Sequence, residues 1–286
     1  MANRIKTAGL TILDTRISYF EVGAGRPVVL LHGNPGTKLD FQTLAETFGS
    51  DQVRFLAIDR PGHGNSDELL PETPDPWYDT KAYAEFLKRV AGGQAYVVGY
   101  SLGAFCALKL ALRFPELVTG LGLIAPFVAP RDPRESPSGL PAWSRHPLLG
   151  TIMGLLLPTL AGGKVRQHLI DVWHPATIPE TVLAEAHKRY THFEALISTL
   201  RDKNDMLQVR GEVTGRLGEI RCPTLAILGG KDAICDPAAQ GAVLAAIPGL
   251  RRVDLPEGGH GLPFTHTREV GEALLDHLQT IPTGPA

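Results

Sequence analysis

The chain has 286 residues and a formal net charge of -2, with 43% hydrophobic and 20% charged residues. This composition predicts a soluble globular protein long enough for one large α/β domain plus an insertion. The near-neutral charge, without long runs of one sign, argues against a nucleic-acid or anionic-membrane partner. The first ten residues lack the apolar core of a secretory signal, and the three cysteines form no paired motif. A cytoplasmic protein is therefore expected.

Seven short apolar segments predict strands, and most lack the polar alternation of a half-exposed sheet, which is typical of parallel strands covered on both faces. The predicted strands are Arg16–Val22, Pro27–His32, Val53–Ile58, Ala95–Tyr100, Leu121–Ala125, Pro223–Leu228 and Arg251–Leu255. Helical stretches long enough to cross over the sheet separate them. These predicted helices are Leu39–Phe48, Thr80–Val90, Leu102–Phe114, Pro237–Ile247 and Thr267–Leu278. The series predicts a doubly wound, mostly parallel sheet.

The alternation stops between residues 126 and 218, where no strand is predicted and a Pro-rich connector leads into helical segments. The predicted helices are Trp143–Leu157, Lys164–Trp173, Pro179–His192 and Phe193–Val209. The apolar run Leu148–Leu160 is too short for a membrane span and contains Pro158. We interpret residues 126–218 as a helical insertion between two parts of one core, residues 1–125 and 219–286.

The segment Tyr96–Ala104 reads YVVGYSLGA, with a serine between two glycines at a predicted strand-to-helix junction. The pattern G-x-S-x-G at such a junction places a serine on a sharp turn with its hydroxyl clear of the backbone. Gly99 and Gly103 would be small because strand and helix pack closely around the turn. Ser101 would then be a nucleophile at a helix N-terminus, where N–H groups favour negative charge. The alternative is that Ser101 only caps the helix.

A nucleophilic serine needs a base, and the base needs a carboxylate that fixes its tautomer. His260, in the loop PEGGHG after a predicted strand, is the best-placed base, with His266 nearby as a rival. Asp232 follows a strand through a Gly-Gly turn and would reach the same sheet edge. Asp236 is the rival acid, but its place before Pro237 favours an N-cap.

The segment HGNPG follows the Pro27–His32 strand and predicts the second part of an oxyanion hole. Donors aimed at the oxygen of a tetrahedral intermediate contribute about 2.7 to 4 kcal/mol each. We expect the N–H of Leu102, next after the nucleophile, to be one donor and that of Asn34 to be the other. A simple Asn-Pro turn is the alternative.

The motifs HGNPG, DRPGHGNSD, GYSLG, the Asp232 turn and GGHG occur in the order found in the α/β-hydrolase fold superfamily, and the sequence resembles that superfamily over nearly its whole length. The resemblance implies Ser101 as nucleophile, His260 as general base and Asp232 as its orienting acid. It also implies that the insertion is a cap over the pocket. Related dehalogenases and epoxide hydrolases carry aspartate where this chain has Ser101.

A serine nucleophile favours a hydrolase that cleaves carboxylic esters, thioesters or lactones through an acyl-enzyme. The motifs leave open carbon–carbon bond hydrolysis of diketones, a cofactor-free perhydrolase or haloperoxidase-like activity, and a non-catalytic ligand-binding role. The histidines show no paired metal-ligand spacing, and no nucleotide-binding motif occurs, so neither a metal nor a cofactor is expected. Apolar residues of the insertion predict a pocket for small to medium hydrophobic acyl substrates, with Met153, Leu156 and Trp173 as candidate lining residues.

Overall fold

The structure is a computed structural model that describes residues 5–69, 75–130 and 147–282, with side chains from residue 159 onward in the last range. Its described part contains a sheet of eight strands in the order β1-β2-β4-β3-β5-β6-β7-β8. The strands are β1 (Lys6–Ile12), β2 (Thr15–Gly23), β3 (Arg26–Leu31), β4 (Val53–Ile58), β5 (Ala95–Tyr100), β6 (Val118–Ile124), β7 (Thr224–Gly229) and β8 (Arg251–Leu255). The first two strands are antiparallel to their neighbours, and the remaining pairs are parallel. The predicted mostly parallel α/β sheet is confirmed.

Helices follow most of the parallel strands. They are α1 (Gln42–Phe48), α2 (Asp79–Val90), α3 (Leu102–Arg113), α4 (Pro147–Trp173), α5 (Glu180–Tyr190), α6 (Phe193–Gly215), α7 (Pro237–Leu244), α8 (Leu262–Thr265) and α9 (Thr267–Thr280). The two predicted segments Trp143–Leu157 and Lys164–Trp173 form one continuous helix from residue 147 onward, so the predicted break between them is wrong. Pro158 and the glycines that follow it, all poor helix formers, lie within this helix.

Two hydrophobic cores lie on opposite faces of the sheet, as the period of two along a strand requires. In β3, Val29 and Leu31 point into the core beneath α2 and α3, whereas Val28 and Leu30 point into the core beneath α1 and α9. Every residue of β5 and β7 is buried. The central strands are therefore covered on both faces, which explains their uninterrupted apolar sequence.

Three helices, α4, α5 and α6, lie between β6 and β7, and the described residues of this region contain no strand. Met206, Val209 and Val213 of α6 join the core beneath α3. The other two helices share a smaller apolar cluster that includes Leu169 and Tyr190. Within the described residues, none of the helices combines the length and apolarity needed to cross a bilayer.

Candidate active site

Ser101 lies on the sharp turn between β5 and α3 that the sequence predicts. Its backbone has a φ of 54° and a ψ of -120°, a strained conformation for a residue with a side chain. The helix begins at the next residue, so the hydroxyl stands at a helix N-terminus. The Ser101 side chain makes no capping hydrogen bond to the helix. This geometry argues against the alternative that Ser101 only caps α3.

The two glycines that flank this turn are required by close backbone approach. A Cβ on Gly99 would lie 2.2 Å from the carbonyl oxygen of Gly103, and a Cβ on Gly103 would lie 2.0 Å from that of Leu31. Both distances are far below any real contact, and the opposing atoms belong to the backbone and cannot rotate away. The predicted collision at both positions is confirmed.

A chain of hydrogen bonds joins Ser101, His260 and Asp232. The Oγ atom of Ser101 lies 2.9 Å from Nε2 of His260, and Nδ1 of the same ring lies 2.7 Å from Oδ2 of Asp232. His260 is 2% exposed, and its ring lies against that of Tyr100 with the ring centroids 5.4 Å apart. The rival base His266 instead contacts Oγ1 of Thr265.

The carboxylate of Asp232 is held by the backbone of the turn that follows it. Its Oδ1 atom accepts the N–H groups of Ile234 and Cys235 at 2.7 and 2.8 Å, which leaves Oδ2 for the imidazole of His260. Asp236, the rival acid, accepts the N–H of Ala238 and caps α7, as the sequence predicts.

The loop that follows β3 lies beside the turn bearing Ser101. A Cβ on Gly33 would lie 3.1 Å from Cβ of Ser101. Asn34 is on the wall of the cavity that Ser101 also lines, and its Nδ2 donates to the carbonyl oxygen of Thr199 in α6 at 2.9 Å. Leu102 occupies the first position of α3, where a backbone N–H has no partner within the helix. These positions are compatible with the two predicted oxyanion donors.

Two residues missed by the sequence analysis, His32 and Arg60, fix this loop. Burial and the neighbouring Arg60 guanidinium lower the pKa of His32 well below its usual value. The neutral ring contacts the Gly33 carbonyl through Nδ1 at 2.8 Å and accepts the N–H of Arg60 at Nε2 at 2.9 Å. The Arg60 side chain donates to the carbonyl oxygens of His32 and Gly33. The motifs HGNPG and DRPGHGNSD are therefore one packed unit.

A cavity of about 190 Å³ opens onto Ser101 and His260. Its wall is mostly apolar, with Leu39, Leu169, Val172, Trp173, Ile178, Val182, Ala186 and Phe264 among its residues. Polar residues Asn34, Asp40, His168, Arg189 and Tyr190 also line it. Residues 168–190, from the end of α4 through the connector and α5, contribute more than half of the lining residues, so the insertion and the core form the cavity together.

Trp173 is the one predicted lining residue that can be placed. It borders the cavity and stacks on the ring of Phe264, with the ring centroids 5.8 Å apart and the planes 5° from parallel. The side chains of Met153 and Leu156 lie outside the described residues. Asp40 and Tyr190 were not predicted, because only the folded chain brings the segment after HGNPG against α5.

One group of three metal-ligating side chains lies close together in the described part of the chain, and it consists of Asp232, Cys235 and His260. Two of its members already bind each other by hydrogen bonding. No disulfide joins Cys106, Cys222 and Cys235, and burial raises the pKa of Cys106 to about 12 and that of Cys222 to about 11.

Comparison with known proteins places this chain in a family. The profile of the Alpha/beta hydrolase family matches residues 28–273, from β3 into α9. This chain belongs to the alpha/beta hydrolase family. Among the curated relatives of this alpha/beta hydrolase is a pimeloyl-(acyl-carrier protein) methyl ester esterase of Chromobacterium violaceum, 27% identical over 91% of this chain and 96% of that protein. Another is a 2-hydroxy-6-oxononadienedioate/2-hydroxy-6-oxononatrienedioate hydrolase of Burkholderia vietnamiensis, 25% identical over 93% of this chain and 92% of that protein.

Solved structures of similar fold include two bacterial esterases. The esterase of Exiguobacterium antarcticum superposes with a TM-score of 0.75 at 22% identity, covering 95% of this chain and 99% of that one. A thermophilic esterase from Thermogutta terrifontis also gives a TM-score of 0.75, at 20% identity and over 97% of this chain. The predicted superfamily is thereby confirmed, and at this level of identity the structures share the fold.

Proposed function

We propose that this alpha/beta hydrolase is a serine esterase that cleaves carboxylic esters of small to medium, mainly hydrophobic substrates. The observation that carries the proposal is the hydrogen-bonded series Ser101–His260–Asp232 at the end of a mostly apolar cavity. The match to esterases among the relatives supports the same reaction class. Thioesters and lactones are close variants, because the same acyl transfer applies to them.

In the proposed reaction, His260 accepts the proton of Ser101 at Nε2 while Oγ attacks the ester carbonyl carbon. Asp232 holds the opposite nitrogen of the ring and stabilises the imidazolium. The carbonyl electrons move to the oxygen, which the N–H groups of Asn34 and Leu102 stabilise. The tetrahedral intermediate then collapses, the alcohol leaves with the proton from the imidazolium, and an acyl ester on Ser101 remains.

Water completes the cycle by the same route. His260 removes a proton from the water as its oxygen attacks the acyl-enzyme, and the second tetrahedral intermediate expels Ser101, which recovers its proton from the imidazolium. The carboxylic acid is released. In this proposal the insertion is a cap that excludes bulk water from the cavity and shapes the acyl site, with Trp173, Met153 and Leu156 as substrate-contacting residues.

The nucleophile assignment predicts a large and specific loss of activity. Ser101→Ala should lower kcat by a factor on the order of 10⁶ while the protein stays folded. A fluorophosphonate should label the wild type and fail to label Ser101→Ala. Ser198→Ala, which alters another buried serine, is the matched control and should remain labelled. Labelling that persists in Ser101→Ala would refute the proposal.

A second candidate is carbon–carbon bond hydrolysis of diketone-type substrates. It is favoured by the relative from Burkholderia vietnamiensis, whose name describes such a hydrolase. Purified protein assayed against p-nitrophenyl esters, lactones and vinylogous diketones distinguishes the two. Turnover of diketones with kcat/KM above that of every ester would replace the esterase proposal.

A further inference from the structure

The wall of the cavity carries a buried carboxyl group, that of Asp40. Asp40 lies on the helical turn Lys38–Phe41 that follows the HGNPG loop, is 9% exposed, and lines the same cavity as Ser101. The hydroxyl of Tyr190, from α5, donates to its Oδ1 atom at a long distance of 3.2 Å. A carboxyl group therefore lies in the wall of a mostly apolar cavity.

The carboxylate of Asp40 is poorly stabilised compared with that of its neighbour Asp59. Asp59 accepts bonds from the side-chain ammonium and the backbone N–H of Lys38 and from the N–H of Asn65. Asp40, by contrast, has no basic group within salt-bridge distance among the described residues. Burial raises the pKa of Asp40 to about 7, although the Tyr190 hydroxyl, a backbone hydrogen bond with Thr37 and the charge of Arg189 act in the opposite direction.

A buried acceptor that lacks sufficient donors gains free energy from any ligand that supplies one. The cavity gives such a ligand access to Asp40 while its ester group lies at Ser101, because both residues line the same space. An anionic ligand group at this point would be repelled by the carboxylate. Arg189, which also lines the cavity, is only half-buried, so solvent screens its attraction for an anion.

We propose that Asp40 is a specificity-determining residue that accepts a hydrogen bond from a hydroxyl or ammonium group of the substrate. The inference rests on the proposed esterase function and narrows its substrate class. The preferred esters carry a hydrogen-bond donor on the acyl or the alcohol part, and the apolar wall binds the carbon chain between that donor and the scissile bond.

A purely structural role for Asp40 is the competing explanation, in which the Tyr190 bond only fastens α5 to the core. Two variants distinguish these explanations, because both break the hydrogen bond between Asp40 and Tyr190. Asp40→Leu deletes the acceptor, whereas Tyr190→Phe deletes the donor and leaves the carboxylate in the cavity. A fastening role predicts equal effects of the two variants, whereas a binding role predicts unequal ones.

The test uses matched ester pairs. One set comprises methyl esters of straight-chain acids of about four to eight carbons, each with and without a terminal hydroxyl; the other comprises acetates of the corresponding diols and alkanols. In at least one pair the wild type should prefer the hydroxylated member by about tenfold or more in kcat/KM. Tyr190→Phe should retain this preference, and Asp40→Leu should abolish it. The isosteric Asp40→Asn should reduce it if Asp40→Leu does not fold.

Binding of the same pairs to Ser101→Ala protein, measured by calorimetry, tests the inference without turnover. If no ester is hydrolysed but hydroxylated members bind more tightly, the esterase proposal fails and the Asp40 inference stands. Equal kcat/KM and equal affinity within every pair would overturn the inference. Loss of the preference in both Tyr190→Phe and Asp40→Leu, or a preference for monoesters of dicarboxylic acids, would also overturn it.

Discussion

Asp232 and Asp236 lie four residues apart and make different contacts. The first accepts two backbone N–H groups with one oxygen and contacts His260 with the other, whereas the second caps α7. Asp232→Asn should lower kcat by about 10⁴, because an amide favours the wrong tautomer of the imidazole. Asp236→Asn retains a capping side chain and should change kcat by less than about threefold. Steady-state kinetics on the two variants measures this difference. If Asp236→Asn were the less active variant, Asp236 and not Asp232 would be the orienting acid.

Gly103 shows how a single backbone position limits substitution at the nucleophile turn. Gly103→Ala would place a methyl group against the Leu31 carbonyl and should lower the free energy of unfolding by about 2–4 kcal/mol. Gly163→Ala, in α4, meets no atom within 4 Å and should stabilise the protein by up to about 1 kcal/mol. Urea unfolding of both variants measures the contrast, and similar stabilities would contradict the predicted collision.

At the scale of elements, α6 is joined to the core through a buried ionic cluster. Asp202 contacts the guanidinium of Arg60 at 2.6 Å and the ring of His63 at 2.8 Å. Burial opposes the ionisation of Asp202, but Arg60 and His63 outweigh burial and hold its pKa well below the usual range. Since Arg60 also fixes the HGNPG loop, the cluster links the insertion to the oxyanion side of the site.

Removal of one member of this cluster should destabilise the fold, because Arg60 is 2% exposed and would remain charged. Asp202→Asn should lower the free energy of unfolding at neutral pH by about 3 kcal/mol. Asp205, one turn further along α6, is the matched control, since burial raises its pKa to about 6 and its charge already costs free energy. Asp205→Asn should be neutral or stabilising. Equal losses in both variants would show that the Arg60 contact contributes little.

In the whole molecule, α9 packs against the sheet, and a buried contact joins Tyr96 of β5 to His277 of α9. The Tyr96 hydroxyl lies 2.9 Å from Nδ1 of His277, and burial raises the pKa of the phenol. Burial and the nearby Arg251 lower the pKa of His277 to about 4. A histidine whose pKa is lower in the folded state than in the unfolded state contributes stability at pH values above its unfolded-state pKa. This contribution is lost as the pH falls from about 6.5 through 4.

His277→Asn removes the titrating group and retains an acceptor for Tyr96. Between about pH 7 and pH 4.5, the wild type should lose about 1 kcal/mol more free energy of unfolding than the variant. Chemical denaturation at the two pH values measures this difference. Identical pH dependence in both proteins would show that His277 is not protonated on acid unfolding.

The strand–turn–helix unit around Ser101 and the bounds of β4, β5 and β8 could be predicted from the amino-acid sequence. They depend on local hydrophobic periodicity and on glycines that the turn itself requires. The sequence also favoured Asp232 over Asp236, because a Gly-Gly turn joins Asp232 to the preceding strand and Pro237 directly follows Asp236. It missed β1, whose residues are mostly exposed and lack a buried face, and it divided α4, which is continuous from residue 147 onward.

Which distant segments of the chain line the cavity together depends on the tertiary structure. Asp40 and Tyr190 are separated by 150 residues, and no local pattern indicates that they meet. The same holds for Arg60, whose contacts with the HGNPG loop and with α6 depend on the parallel pairing of β3 and β4 and on the position of the insertion. Local propensity specifies elements, whereas the partners of a buried charge depend on how those elements pack, and packing is a property of the whole chain.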